Sequence, residues 1–345
     1  MLESTHLYLA GIWFILWGVL WAVYFALDGF DFGVGTLLPF LAKSEEEKRI
    51  MLNSVGPFWD GNEVWLIAAG GVTFAAFPFA YAVMFSWLYT PLLLLLFALI
   101  LRGVSFEFRS KIESPAWKKV WDTCQFLGSV LPSILLGVAF ANIFQGLPFN
   151  ADYVNPGGTL ELLNPYGLAG GVLFLVIFVT HGAIWLAVRT EGALQQRAVN
   201  VATKLWPVLL VLVLVFLAWS WVGTKLFSNY QQYPVLFLLL ALPVGGLLLM
   251  RVFMAAGKWW KAWFSSLAFI IGTTMFAVVG LFPAIMPASP NPQYSVTIHN
   301  ASSSELTLSI MLGVALVFVP LVIAYQAWAY KTFASAPVGE DDIEY

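Results

Sequence analysis

FAYAVMFSWLYTPLLLLLFALIL, residues 79–101, holds no charged side chain, and the segment behind it, RGVSFEFRSK (102–111), carries Arg102, Arg109 and Lys111. An apolar run of about twenty residues crosses the ~30 Å hydrocarbon core of a bilayer as a helix. A basic flank marks the side on which that helix stops. Eight further runs of similar length lie on either side of this one. The predicted crossings are 7–28, 56–77, 79–101, 120–146, 166–188, 204–226, 234–254, 262–286 and 307–330. The chain is 60% hydrophobic and 10% charged, where a soluble domain has about 25% charged residues. The runs are unbroken rather than alternating, which excludes a barrel. The expectation is an all-α polytopic membrane protein, with residues 1–345 forming one integral membrane domain of nine transmembrane helices. The first run lacks a basic leader and a small-residue cleavage site, and is read as a retained helix.

Charge sorting supports that count. Lys43, Lys48 and Arg49 fall in one loop. Arg102, Arg109, Lys111, Lys118 and Lys119 fall in a second. Arg189, Arg197 and Lys204 flank a third, Arg251, Lys258 and Lys261 a fourth, and Lys331 starts the C-terminal tail. Nine crossings put all fifteen on one side and leave only Lys225 on the other, out of sixteen Lys and Arg in all. Short basic loops stay in the cytoplasm. The N-terminus is therefore expected outside and the C-terminus inside, with 332–345 a short acidic cytoplasmic tail.

Four acids interrupt this pattern: Asp28 and Asp31 in Leu27-Asp28-Gly29-Phe30-Asp31-Phe32-Gly33, then Asp60 and Glu63 in Trp59-Asp60-Gly61-Asn62-Glu63-Val64-Trp65. Ionisable groups in hydrocarbon are costly and mark ion or proton routes. Trp13, Trp17, Trp21, Tyr24, Asp28 and Asp31 recur at steps of three or four, on one helical face. Asp28 and Asp31 are expected at the cytoplasmic end of the first helix, Asp60 and Glu63 at the start of the second, and Arg102 at the end of the third, followed by Glu107. Convergence of these six would build a proton relay. The competing reading makes both acid pairs helix caps in the headgroup zone. Glu45, Glu46, Glu47, Glu113 and Asp122 read as solvated loop residues.

Other chemistry has little support. One cysteine, Cys124, rules out an intramolecular disulfide and a Cys-based metal cluster. No Walker loop, dinucleotide fingerprint or His-Glu-x-x-His motif occurs, and no nucleic-acid partner is expected. Haem in a bundle is held by His or Met. Of three histidines, His6 and His299 fall at the outer face and only His181 is inside a helix, where a packed histidine is the commoner case. Most Trp and Tyr residues read as interfacial belts and packing, with Trp259, Trp260 and Trp263 an anchor beside Lys258 and Lys261.

Several stretches resemble subunit II of the cytochrome bd-type quinol oxidases. They include Asp28-Gly29-Phe30-Asp31-Phe32-Gly33-Val34-Gly35, Trp59-Asp60-Gly61-Asn62-Glu63-Val64-Trp65, Phe106-Glu107-Phe108-Arg109-Ser110-Lys111, Leu163-Asn164-Pro165-Tyr166-Gly167-Leu168 and Ser303-Ser304-Glu305-Leu306-Thr307-Leu308. The resemblance covers nearly the whole chain, with a short connection around 227–234. It implies two four-helix bundles plus one peripheral helix, paired with a pseudo-symmetric subunit I that binds quinol and haems b558, b595 and d, with no cofactor in this chain. The complex would reduce dioxygen to water and build a proton gradient without pumping, in a bacterial cytoplasmic membrane. A small single-helix accessory subunit, lipids and a structural quinone are further expected partners. Asp60 matches the family acid tied to a proton path. Asp31 and Glu107 match acidic family positions. Glu63 stands where other members carry a neutral amide, and His181 where no histidine is required. Expected relay residues are therefore Asp60, then Asp31, Asp28, Arg102, Glu107 and Glu63. The rival class is a proton-coupled secondary transporter, which would show discontinuous helices in two matching halves. A third is a structural subunit whose acids only cap helices.

Overall fold

The computed structural model describes residues 2–153, 158–289 and 291–339; the acidic stretch 340–344 lies outside the described residues. The chain folds into helices α1 (Leu2–Leu41), α2 (Glu45–Val55), α3 (Trp59–Ala76), α4 (Pro78–Trp87), α5 (Tyr89–Phe108), α6 (Pro115–Gln145), α7 (Pro165–Arg189), α8 (Gly192–Gly223), α9 (Ser228–Gln232), α10 (Ala241–Ala255), α11 (Trp259–Leu281), α12 (Ile298–Ala301) and α13 (Glu305–Phe333). A short antiparallel pair, β1 (Ala284–Met286) and β2 (Val296–Thr297), matches Ala284 with Thr297. Among the described residues eight helical segments are long and apolar enough to span a membrane. The ninth predicted crossing is α3, whose 18 residues begin with the polar Asp60-Gly61-Asn62-Glu63 turn.

Helices α1, α3, α5 and α6 pack as one bundle, and α7, α8, α10 and α11 as a second. Helix α1 also packs along α7 and α11 and so joins the two. Its aromatic face, Trp13, Trp17, Trp21 and Tyr24, is buried as its spacing predicts. The α1–α7 crossing is close because it is built on glycine. A Cβ on Gly182 would lie 2.6 Å from the Gly33 carbonyl carbon, and one on Gly33 would meet the Phe178 carbonyl. Helix α13 is peripheral: it touches α1 and α3, and its lipid-facing length is almost wholly exposed.

Several sequence boundaries shift, among them the start of α8, which lies at Gly192 rather than 204, and four of the changes have a plain physical reason. Helix α1 does not stop at Asp28. It continues to Leu41, because both aspartates find partners inside the bundle. The predicted 79–101 helix is two helices. Pro91 has no N–H for the Trp87 carbonyl, the chain breaks at Leu88, and α5 then runs on to Phe108. Arg102 consequently sits well inside α5 rather than at its end. The predicted helix end at 286 is β1, since α11 stops at Leu281 before Phe282-Pro283. The 332–345 tail is partly docked: the Val338 amide donates to the Arg189 carbonyl at 2.9 Å.

The basic loops gather at one end of the molecule. Arg109 binds Glu45, Arg197 binds Glu47 and the Leu41 carbonyl, and the Arg189 guanidinium reaches the Ala336 carbonyl. The opposite end is closed by α4, α12 and the β1–β2 pair, with the His6 ring 2.8 Å from the Ser303 carbonyl.

Candidate functional site

Helix α2 leads the chain toward the bundle, ending in buried Met51, Leu52, Asn53, Ser54 and Val55. The Gly56-Pro57 turn then carries it into α3. This brings the first turn of α3 against the middle of α1, while α5 approaches from the side. The three helices deliver Asp28, Asp31, Asn62, Glu63 and Arg102 to one spot. Asp28, Asp31, Asn62 and Arg102 have at most 1% of their surface exposed.

Arg102 Nη2 donates to Asp28 Oδ1 at 2.7 Å and lies 3.6 Å from Glu63 Oε2. Its guanidinium stacks over Phe32, 4.3 Å from the ring centroid. Asn62 Nδ2 donates to Asp31 Oδ2 at 2.8 Å, and Asn62 Oδ1 accepts from the Tyr330 hydroxyl at 2.8 Å. Gln326 donates to the Gly61 carbonyl at 3.2 Å and accepts from Trp65 Nε1 at 2.9 Å. Peripheral α13 is thus stitched to the same turn of α3. On the far side of Arg102, Ser105 Oγ lies 2.6 Å from the Arg102 carbonyl and bonds Gln125 of α6.

The arrangement places three carboxyl groups around one guanidinium. Several of its polar atoms have no protein partner among the described residues: Tyr24 Oη, Asp28 Oδ2, Asp31 Oδ1, Arg102 Nε and Nη1, and Gln125 Nε2. A buried charge is tolerated when paired and hydrogen-bonded. Here one cation is shared between acids on two helices.

Four of the six predicted residues come together: Asp28, Asp31, Arg102 and Glu63. Asp60 is exposed on the outer face of α3, in line with exposed Val64, Ile67 and Phe74, one helical turn from Glu63. Glu107 is exposed on the last turn of α5. Glu63, ranked last from sequence, is in contact with Arg102. Tyr24 was on the recognised aromatic face, but Asn62, Gln125, Gln326 and Tyr330 were missed. Gln326 carried a usable signal: an amide in the otherwise apolar run of α13 needs a partner.

The loop acids also differ from their solvated reading. Asp122 has 14% of its side chain exposed and bonds Arg109 Nε and Lys48 Nζ, each at 2.6 Å. Burial pushes the Glu45 carboxyl up, but the Arg109 hydrogen bonds and charge outweigh it and hold Glu45 below the ordinary range. Glu47 is shifted the same way: burial raises it, and bonds from the Lys43 amide and Arg197 more than offset that.

The one histidine inside a membrane-spanning helix is engaged within the protein. His181 Nδ1 is 2.6 Å from Ser266 Oγ and Nε2 is 3.0 Å from the Ala26 carbonyl, so both nitrogens are committed. Its ring packs between Phe30 and Trp263. His6 is tied to Ser303 and Ser302, and His299 sits on short α12. Among the described residues no group of three His, Cys, Asp or Glu side chains is placed to hold a metal ion.

A bundle of apolar helices around a buried acid cluster is the architecture of a polytopic membrane protein with a polar site inside the bilayer, and comparison with known proteins specifies which. The profile of the cytochrome bd terminal oxidase subunit II family matches residues 9–333. The chain is 39% identical to cytochrome bd ubiquinol oxidase subunit 2 of Bacillus subtilis, over 98% of this chain and 99% of that protein. It is 40% identical to cytochrome bd-I ubiquinol oxidase subunit 2 of Escherichia coli K12, over 96% of each. The fold superimposes on a chain of the bd oxidase from Geobacillus thermodenitrificans with a TM-score of 0.78 and 14% identity, covering 94% of this chain and 98% of that one.

This chain belongs to the cytochrome bd terminal oxidase subunit II family. It is therefore a multi-span component of a bacterial quinol oxidase, a membrane oxidoreductase, and pairs with a subunit I. The family resemblance read from the sequence holds, and it sets aside the transporter reading.

Proposed function

We propose that this chain is the haem-free subunit of its oxidase, supporting subunit I and conducting protons from the cytoplasm to the oxygen-reducing site. The observation that carries this is the Asp28–Arg102–Glu63 cluster with Asp31 beside it, buried at the junction of α1, α3 and α5. One guanidinium serves two carboxylates, so a proton gained by one acid leaves Arg102 to the other. The unpartnered polar atoms of Tyr24, Asp28, Asp31, Arg102 and Gln125 form a surface that water satisfies. Carboxyl groups joined by such waters move protons through hydrocarbon. Asp60, one turn from Glu63 and exposed on α3, is the group that hands protons to subunit I.

Haems b558, b595 and d and the quinol site belong to subunit I in this reading, which the fully committed nitrogens of His181 support. The basic end faces the cytoplasm, leaving the N-terminus outside and the C-terminus inside. Residues 1–345 act as one membrane domain. An apolar cavity of about 120 Å³ bordered by Phe25, Phe140, Phe174, Phe216 and Phe269 suits the tail of a structural quinone. A single-helix accessory subunit has the uncovered side of α13 available.

The test is turnover of the assembled oxidase carrying Asp28→Asn or Asp60→Asn. Each removes a titrating group at nearly constant volume. Oxygen consumption falls about a hundredfold, the low end of the range for lost proton transfer, while haem spectra stay those of the parent. Full turnover in both variants defeats the relay.

A further inference from the structure

We propose that the groove at the basic end, between the end of α1, α2 and the start of α6, binds an anionic phospholipid of the leaflet it faces. This rests on the membrane reading of the helices and not on the proton relay. The groove encloses about 930 Å³. Its upper rim carries Glu45, Lys48, Glu113, Lys118, Lys119 and Asp122. Its deeper wall is apolar, with Leu38, Pro39, Phe40 and Phe126.

Charge selects the headgroup. Lys48 is paired with Asp122, and Lys118 with Glu45 and Glu113. Arg109, behind the rim, binds both Glu45 and Asp122. Three carboxylates thus meet three cations, Lys48, Lys118 and Arg109, and Lys119 is a fourth cation on the rim. The remaining positive charge is on Lys119, which has no carboxylate within ion-pairing reach among the described residues. A singly charged phosphodiester balances it. A multiply charged anion would meet the carboxylates of Glu45 and Glu113 as well.

Depth selects the tails. The α1 span, Thr5–Leu41, has 37 residues, and α6 has 31. At 1.5 Å per residue both exceed the ~30 Å hydrocarbon core by a wide margin. Helix α6 therefore has the length to carry its first turns through the headgroup layer, with Phe126, and Phe40 packed on it, below them. Along α6 the character changes in step, from Lys118, Lys119 and Asp122 to Phe126 one turn deeper. Phe40, 60% exposed, packs edge-on against Phe126 at 5.9 Å and offers a face to an acyl chain. Free phosphate satisfies Lys119 but leaves that face in contact with the polar layer. Basic pockets between helices on the cytoplasmic side are recognised lipid sites.

The experiment is native mass spectrometry of the assembled oxidase titrated with palmitoyl-oleoyl phosphatidylglycerol or phosphatidylcholine. One phosphatidylglycerol adduct per complex is expected to survive, with the phosphatidylcholine adduct weaker. Lys119→Gln should weaken phosphatidylglycerol about fivefold, the usual worth of one lysine at an anionic surface. Thr123→Trp, which crowds the groove without changing its charge, should weaken the adduct. A diazirine-tailed phosphatidylglycerol should label residues 115–126. Equal adducts in wild type and both variants, or labelling confined to other helices, overturns the proposal. So does displacement by inorganic phosphate, which would assign the cation to a free anion.

Discussion

Replacing Arg102 with methionine isolates the energetics of the site. Methionine keeps much of the side chain's length and apolar stem, so the main loss is the guanidinium. Three interactions go with it: the 2.7 Å bond to Asp28, the 3.6 Å contact with Glu63 and the stacking over Phe32. Asp28 is 0% exposed and keeps no cation. Removing one partner of a buried pair costs about 3–5 kcal/mol, mostly from the charge left behind. At about 2 °C per kcal/mol the assembled oxidase should melt roughly 6–10 °C lower. The assay is intrinsic tryptophan fluorescence during heating, at matched detergent and lipid.

The companion Asp28→Leu/Arg102→Met removes both charges and should recover most of that loss, because apolar replacement of a buried pair is often neutral or better. Its turnover should remain low if Asp28 belongs to the proposed relay. Stability and activity therefore separate. If Arg102→Met melts with the parent, the pair is not an energetic unit. If the double variant is as unstable as both single losses added, the two residues do not couple, and the cluster drawn here is wrong.

Asn62→Leu should lower thermal stability by about 2–3 kcal/mol, because Asp31 and Tyr330 lose their shared partner in a buried setting; a neutral result on melting would remove Asn62 as the bridge to α13. Gly182→Val should abolish accumulation of the folded chain in membranes, since its side chain meets the Gly33 backbone; normal levels by immunoblot would contradict the close α1–α7 crossing. The pH dependence follows from Glu45 and Glu47. Their folded values lie below the unfolded one near 4.5, so their contribution is complete above that pH and fades as pH falls through the lower folded values. Melting profiles should drop more steeply below pH 4.5 in the parent than in Glu45→Gln/Glu47→Gln, and parallel profiles would rule this out.

Much of the fold was legible because lipid enforces simple rules. Apolar length located the helices, and charge sorting placed the loops at one end. The misses arose where a polar residue found a partner that sequence distance hides. Asp28 and Asp31 resembled a helix end because an unpaired aspartate stops a helix in hydrocarbon. Arg102, 74 residues from Asp28, removes that penalty, and α1 continues. The same pairing drew Glu63 into the cluster, although the family resemblance had implied that this was the least promising acid. Pro91 was visible in the quoted stretch, yet an apolar run around it still reads as one crossing. Asp60 remained prominent in the motif, but a motif does not say which face of α3 it occupies.

The placement of Asp60 and Glu63 on one helix, one turn apart, accounts for why the costly cluster sits where it does. Glu63 faces inward to Arg102, while Asp60 faces outward with Val64, Ile67 and Phe74. In lipid, an outward aspartate would be the more expensive of the two. In the relay proposed above, that exposed stripe ending in an acid is the surface that subunit I would cover. On that proposal, an inner acid shared by a guanidinium and an outer acid at that surface would pass a proton across it without breaking the subunit's own fold. Helix α13 makes the arrangement rigid, because Gln326 and Tyr330 hold the Gly61-Asn62 backbone and amide between the two acids. The peripheral helix, which buries little else, therefore has a reason to pack on α3: it fixes the turn from which both acids project.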